Sequence, residues 1–257
     1  LMVISSFQMS FSKDILGDVI TVFVFALSAH VFSILLGKFL FQKYDDGTKK
    51  IMKFVAIYSN CGFMGFPVLE GLFGKVGVLL GSVYVAAFNI FLWTNGVMIF
   101  TSRNRLDRDT VKKALLNPGI VSVAIGMLLF FFSIELPYPV SRTVEIVGSM
   151  TVPLAMLIVG ANLAGCNLKK LLYGFKLYYI TGIRLILIPL LAYAVLKLLG
   201  FSGIVFTTCI LLVAMPAAAN TTIFAEMYDG DTLFASRVVA FSTLVSIVTI
   251  PLVLLLP

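Results

Sequence analysis

The chain contains one histidine, His30, and three cysteines, Cys61, Cys166 and Cys209, none of them in a CxxC pair. A single imidazole leaves no HExxH zinc site, and isolated cysteines argue against a disulfide framework, a zinc site or an iron–sulfur cluster. No GxxxxGK[ST] loop is present to hold a nucleotide, and no motif calls for a cofactor. Charge is scarce too. Asp, Glu, Lys and Arg make up 12% of the 257 residues, where a soluble domain carries about 25%. Apolar residues take their place, with 60% hydrophobic, 23 Phe and a mean hydropathy of +1.06. Such a composition belongs to an all-α polytopic membrane protein whose first partner is the lipid bilayer. The net charge of +7 is a matter of topology. Its Lys and Arg sit in short loops instead of interleaving along one face, so no nucleic acid partner is implied.

At about 20 apolar residues per crossing, eight spans emerge: Ile15 to Phe41, Phe54 to Leu72, Val76 to Phe100, Pro118 to Ile134, Ile146 to Ala164, Lys176 to Leu199, Ile204 to Tyr228, and Leu233 to Leu256. Lys43, Lys49, Lys50 and Lys53 lie in the first connection, Arg103, Arg105, Arg108, Lys112 and Lys113 in the third, and Lys169 and Lys170 in the fifth. By the positive-inside rule these loops are cytoplasmic and the C-terminus is outside. The connections between them hold Glu70 with Lys75, then Glu135, Arg142 and Glu145, then Lys197. The turn around Glu226, Asp229 and Asp231 is cytoplasmic but acidic, and acidic residues weigh little in that rule.

Two of the spans are interrupted in the same way. The second contains Tyr58-Ser59-Asn60-Cys61-Gly62-Phe63-Met64-Gly65-Phe66-Pro67, and the seventh contains Met215-Pro216-Ala217-Ala218-Ala219-Asn220-Thr221-Thr222. Proline removes a backbone donor and clashes with the carbonyl four residues back, while Gly and Asn accept unusual dihedrals, so both spans read as broken helices. Such breaks persist at membrane depth only where they line a cavity, and a pair of them points to the binding site of a secondary transporter. Asn60 precedes the turn at Gly71 by eleven residues and Asn220 precedes that at Gly230 by ten. The first span runs outward and the second inward, so the pair is inverted. The fourth and fifth spans then lack counterparts in the first half, apart from Leu1 to Phe7. The expectation is an N-terminally truncated chain with about eight of ten helices from two inverted five-helix repeats.

The run from Asn60 to Pro67, the segment Pro153-Leu154-Ala155-Met156-Leu157-Ile158-Val159-Gly160-Ala161, the stretch Arg184-Leu185-Ile186-Leu187-Ile188-Pro189, and Ala214-Met215-Pro216-Ala217-Ala218-Ala219-Asn220 resemble the auxin efflux carrier family, which includes bacterial malonate-type permeases. The resemblance covers nearly the whole chain. It implies a carrier of small organic anions, often mono- or dicarboxylates, with a scaffold domain, a transport domain and two broken helices crossing at the site. Residues 1-116 would form the truncated first repeat and 117-257 the second. The transport domain would take 14-100 and 176-257, the scaffold 1-9 and 117-165. The resemblance makes Pro67 and Pro216 the crossing prolines and Asn60 and Asn220 the carboxylate-binding amides, with Gly62 and Thr221 beside them. In the plant auxin exporters a proline adjoins the first asparagine; here Pro67 lies seven residues beyond Asn60, which counts against auxin itself as the substrate. The expected location is the inner cell membrane. Proton or sodium coupling and a homodimer remain open.

The same residues can be read without the resemblance. A broken helix leaves unpaired N–H groups at the start of its second half, which suits a carboxylate, and Asn adds donors without a full charge. The alternative for Asn60 and Asn220 is hydrogen bonding between helices. The depth of Asn220 in the membrane sets aside its formal glycosylation sequence, Asn-Thr-Thr. Arg184 lies deep enough to meet an anion, yet a structural partner or snorkelling would look the same in sequence. His30, with Asp18 toward the outer end of its span, is a candidate for proton coupling, against the blander reading of a satisfied interhelical histidine. An intramembrane aspartyl protease would need two facing aspartates, and only Asp229-Gly230-Asp231 is near such a pattern. An ion channel, which usually needs a ring of like groups, and a cation-coupled carrier of a non-anionic solute are the remaining rivals.

Overall fold

The computed structural model describes residues 1–7, 13–101, 112, 116, 118–134, 136–164 and 174–256. The loop cations Arg103, Arg105, Arg108, Lys113, Lys169 and Lys170, together with Glu135 and Cys166, lie outside the described residues. Regular structure among the described residues is helical: α1 (Met2–Ser6), α2 (Lys13–Leu40), α3 (Asp46–Ile57), α4 (Gly65–Phe91), a π turn (Leu92–Gly96) leading into α5 (Val97–Thr101), α6 (Pro118–Phe131), α7 (Tyr138–Ser149), α8 (Thr151–Ala164), α9 (Phe175–Gly182), a second π turn (Ile183–Leu187) leading into α10 (Ile188–Leu198), α11 (Gly203–Ala214), α12 (Asn220–Met227) and α13 (Thr232–Leu254). Among the described residues five stretches are long and apolar enough to cross a membrane.

α2 shows why the chain suits lipid. Its 28 residues span about 42 Å at 1.5 Å per residue. Val19, Val22, Ala26, His30, Ser33 and Gly37 form one buried stripe at helical spacing, while Ile20, Val24, Val31, Phe32, Leu35 and Phe39 are exposed. A helix apolar on all sides has only one face to give its own protein, and the other needs hydrocarbon around it.

Where boundaries differ from the sequence expectation, local chemistry explains the shift. α3 begins at Asp46, eight residues before the expected Phe54, because the Asp45 carboxylate caps it by accepting from the Thr48 N–H at 2.9 Å. Its first turns carry Lys49, Lys50 and Lys53, which a hydropathy window passes over. The fifth span likewise starts at Tyr138, after Pro137, through a polar turn containing Arg142 and Glu145, which pair at 2.8 Å. α4 is bent rather than straight. Gly74 takes φ +55°, ψ −139°, a region that side chains disfavour, and the chain doubles back there. A Cβ on Gly77 would lie 2.5 Å from the Leu69 carbonyl oxygen, and one on Gly81 would lie 2.6 Å from Leu69 Cδ1. Arms 65–73 and 75–91 therefore pack face to face, separating the expected second and third spans.

One end of the molecule gathers the starts of α3 and α9, the end of α5 and the turn after α12. Lys176 Nζ donates to Asp45 Oδ1 at 2.9 Å, and Lys50 Nζ donates to the Phe100 carbonyl at 3.0 Å. The Phe100 ring stacks on Tyr228 at 6.0 Å between centroids. At α1, packing against α4, α6 and α7 is close enough that a Cβ on Gly148 would meet the Met2 nitrogen at 2.9 Å and one on Gly126 would meet Phe7 Cδ2 at 2.5 Å.

Candidate functional site

The two interrupted spans meet. α3 ends at Ile57 and its continuation does not resume until Gly65; α11 ends at Ala214 and α12 begins at Asn220. Between these ends Ser59 and Ala217 form an antiparallel bridge. The Asn60 backbone N–H donates to the Pro216 carbonyl at 2.8 Å and the Ala218 N–H to the Tyr58 carbonyl at 3.1 Å. Each broken strand thus supplies part of what the other lost, as backbone at membrane depth requires.

The second break is proline-driven. Pro216 has no N–H, and Met215 before it is extended at φ −58°, ψ 147°, the conformation a following proline favours. The first break has another origin. The extended Tyr58 precedes Asn60, whose carbonyl accepts from both Met64 and Gly65 N–H groups at 3.2 Å, and this turn restarts the helix. Pro67 does not sit at the crossing as the sequence suggested: it occupies the third position of α4, where a missing N–H costs no ladder bond. Gly65 allows close approach, since a Cβ there would lie 2.6 Å from Leu212 Cδ2.

Every break orphans carbonyls, and here one side chain collects them. Arg184, in the second π turn and 2% exposed, donates from Nε to the Met215 carbonyl at 3.1 Å, from Nη1 to the Ala56 carbonyl at 3.0 Å and from Nη2 to the Val213 carbonyl. In unbroken helices those carbonyls would accept from residues 60, 217 and 219. Asn60 instead donates to Pro216, and Ala217 donates to Ser242 Oγ at 3.2 Å. The guanidinium therefore takes the places of three displaced amides. Sequence reasoning missed Ser242, although Ser242 and Ser246, buried one helical turn apart in an apolar span, were the available signal.

On the other side of the ledger stand donors. Among the described residues, the N–H groups of Cys61, Gly62 and Phe63, and those of Ala219 and Asn220, find no carbonyl partner. The side-chain amides of Asn60, buried at 5% exposure, and of the half-buried Asn220 also have no hydrogen-bond partner there, and the buried Thr221 hydroxyl is unpartnered. Two helix C-termini carry about one negative charge between them and two N-termini about one positive. Arg184 answers the first; at the second the Cys61 sulfur lies against the Cys61 and Gly62 N–H groups, and no charged side chain of the described residues answers it.

His30 packs beside the crossing, against Tyr58, but not among its unpartnered donors. Its Nδ1–H donates to the Ala26 carbonyl at 2.7 Å and its ring stacks on Phe91 at 5.2 Å, with Tyr58, Tyr84 and Phe88 around it. Asp18 is half-buried twelve residues earlier on α2, about 18 Å along the helix, so the structure does not bring the two together. A cavity of about 600 Å³ between α2 and α10 has His30, Tyr84 and Arg184 on its buried wall and apolar residues such as Ile20, Val24 and Val195 at its rim. Neither Asn60 nor Asn220 lines it.

A family model described as membrane transport protein matches residues 1–254. An uncharacterized transporter of Methanothermobacter thermautotrophicus is 26% identical over 81% of this chain and 68% of its own length. An uncharacterized transporter of Methanocaldococcus jannaschii is 26% identical over 91% of this chain and 76% of its own. A Rhizobium meliloti protein named "Putative malonate transporter" is 26% identical over 86% and 71%.

Proposed function

Because the chain belongs to the membrane transport protein family, of the auxin efflux carrier type its motifs resemble, we propose that this multi-pass membrane protein is a secondary carrier of small organic anions working by alternating access. One observation carries the reading: at the crossing Arg184 takes carbonyls of the negative helix ends, while among the described residues the N–H groups of Cys61, Gly62, Phe63, Ala219 and Asn220 have no carbonyl partner and the two asparagine side-chain amides have no hydrogen-bond partner. A carboxylate is the complement of that arrangement. The substrate would meet the Asn60 and Asn220 side chains, the N–H groups of Gly62 and Asn220, and the Thr221 hydroxyl. Pro216 shapes the site, Pro67 only starts α4, and Arg184 acts from behind. The similarity to a protein named for malonate supports testing short dicarboxylates first.

The transport unit in this reading is 14–100 with 176–257, which contains both broken helices. It rocks against a scaffold of 1–9 and 117–165, in the inner cell membrane. A test is uptake by proteoliposomes of labelled malonate, other dicarboxylates and indole acetate under imposed pH and sodium gradients. Saturable uptake with competition among dicarboxylates is expected. Flux that rises linearly with concentration, or no anion flux under any gradient, would overturn the carrier reading.

A further inference from the structure

We infer that Arg184 is a tethered cation occupying the place at the crossing where a carrier of this architecture would bind a mobile coupling cation, and that no sodium ion binds there during the cycle. The inference rests on the carrier reading, but its basis is local. Unwound carbonyls and half-helix C-terminal ends are where transporters with broken helices coordinate a small cation. In this chain three such carbonyls, Ala56, Val213 and Met215, converge from two different helix ends on one point, and the guanidinium fills it. The ligand set is all oxygen. Its negative character, about one charge from two helix termini, matches one monovalent cation, and Arg184 already provides it.

The Arg184 environment supports the assignment. Among the described residues no carboxylate pairs with Arg184, and its hydrogen bonds run to main-chain carbonyls. A buried arginine held this way needs its charge matched by dipoles, which only the crossing supplies. Since Arg184 projects from the α9–α10 helix and reaches both breaks, it also ties the two broken ends to that helix. A sodium ion could leave between half-cycles; a side chain cannot.

The experiment uses the purified full chain in lipid nanodiscs, with thermal stability and sodium-22 binding as readouts. For the parent protein, exchanging sodium for choline at constant ionic strength should leave the transition temperature unchanged, and sodium-22 should not bind saturably. Arg184→Ala should unfold roughly 5–15 °C lower, and low-millimolar guanidinium or sodium should restore part of the loss saturably, with choline ineffective because it is too large. Arg184→Lys, which keeps the charge but cannot span three carbonyls with a planar fork, should fall between. Saturable sodium stabilisation of the parent, or an Arg184→Ala protein that no small cation restores, would overturn the inference. If Arg184→Ala does not accumulate, the parent's sodium response and the Arg184→Lys intermediate decide the matter. Failure of the carrier reading would look different: no anion flux in vesicles, with the cation pattern intact.

Discussion

At the residue scale the crossing separates two polar tasks. Arg184 closes the orphaned carbonyls, whereas the side-chain amides of Asn60 and Asn220 have no partner among the described residues. Replacing either asparagine by Ala should raise the dissociation constant for malonate by roughly three- to thirtyfold, from the loss of about 0.5–2 kcal/mol of hydrogen bonding. The double replacement should cost less than the sum, because both amides serve one ligand. Asp at either position should be worse than Ala, since a like charge would face the anion. Calorimetry on purified protein checks all three, and parent-like binding by both Ala variants would move the site elsewhere.

At the element scale the bend in α4 and the start of α3 are each set by one contact. Gly77→Ala would place a methyl 2.5 Å from the Leu69 carbonyl oxygen, whereas Gly71→Ala meets nothing within 4 Å. The first should destabilise by about 1–3 kcal/mol, and the second should leave the melting temperature near that of the parent. Equal melting temperatures would show that the two arms do not pack as described. Asp45, which accepts from Thr48 N–H and Lys176 Nζ, has its carboxyl held below the usual carboxylate range by those bonds, the backbone one foremost. A depressed folded pKa contributes stability that is complete above the unfolded value, roughly pH 4, and is lost as pH falls through the folded one. Asp45→Asn should therefore lower the melting temperature at neutral pH and bring parent and variant together at strongly acid pH. A gap between them that is independent of pH would refute the contribution of the ionised carboxylate.

At the scale of the whole molecule, the loops around Asp45 and Lys176, the end of α5 and the turn after α12 share one end. By the positive-inside rule that end is expected on the cytoplasmic side. In a cysteine-free background, Lys49→Cys should resist an impermeant thiol reagent added outside intact cells, and Lys75→Cys, on the opposite turn of α4, should react. The reverse pattern would invert the orientation. Arg105, an equally attractive probe by sequence, lies outside the described residues.

Composition alone determined that this chain belongs in a bilayer, since 60% hydrophobic residues with 12% charge leave no other solvent for α2 or α13. Local chemistry marked both breaks, because proline and the Asn60-Cys61-Gly62 turn act on their own backbone whatever surrounds them. The same local logic misplaced the first crossing at Pro67: a proline seven residues from Asn60 looks like a breaker in sequence, and only the position of Gly65 turns it into a helix start. The fate of the broken ends was decided by tertiary structure. Arg184 bonds to a carbonyl 128 residues away and to others 29 and 31 residues away, and nothing in its own neighbourhood encodes those partners. The sequence left its role divided between ligand and scaffold; the convergence of two helix ends on one guanidinium gave it to the crossing.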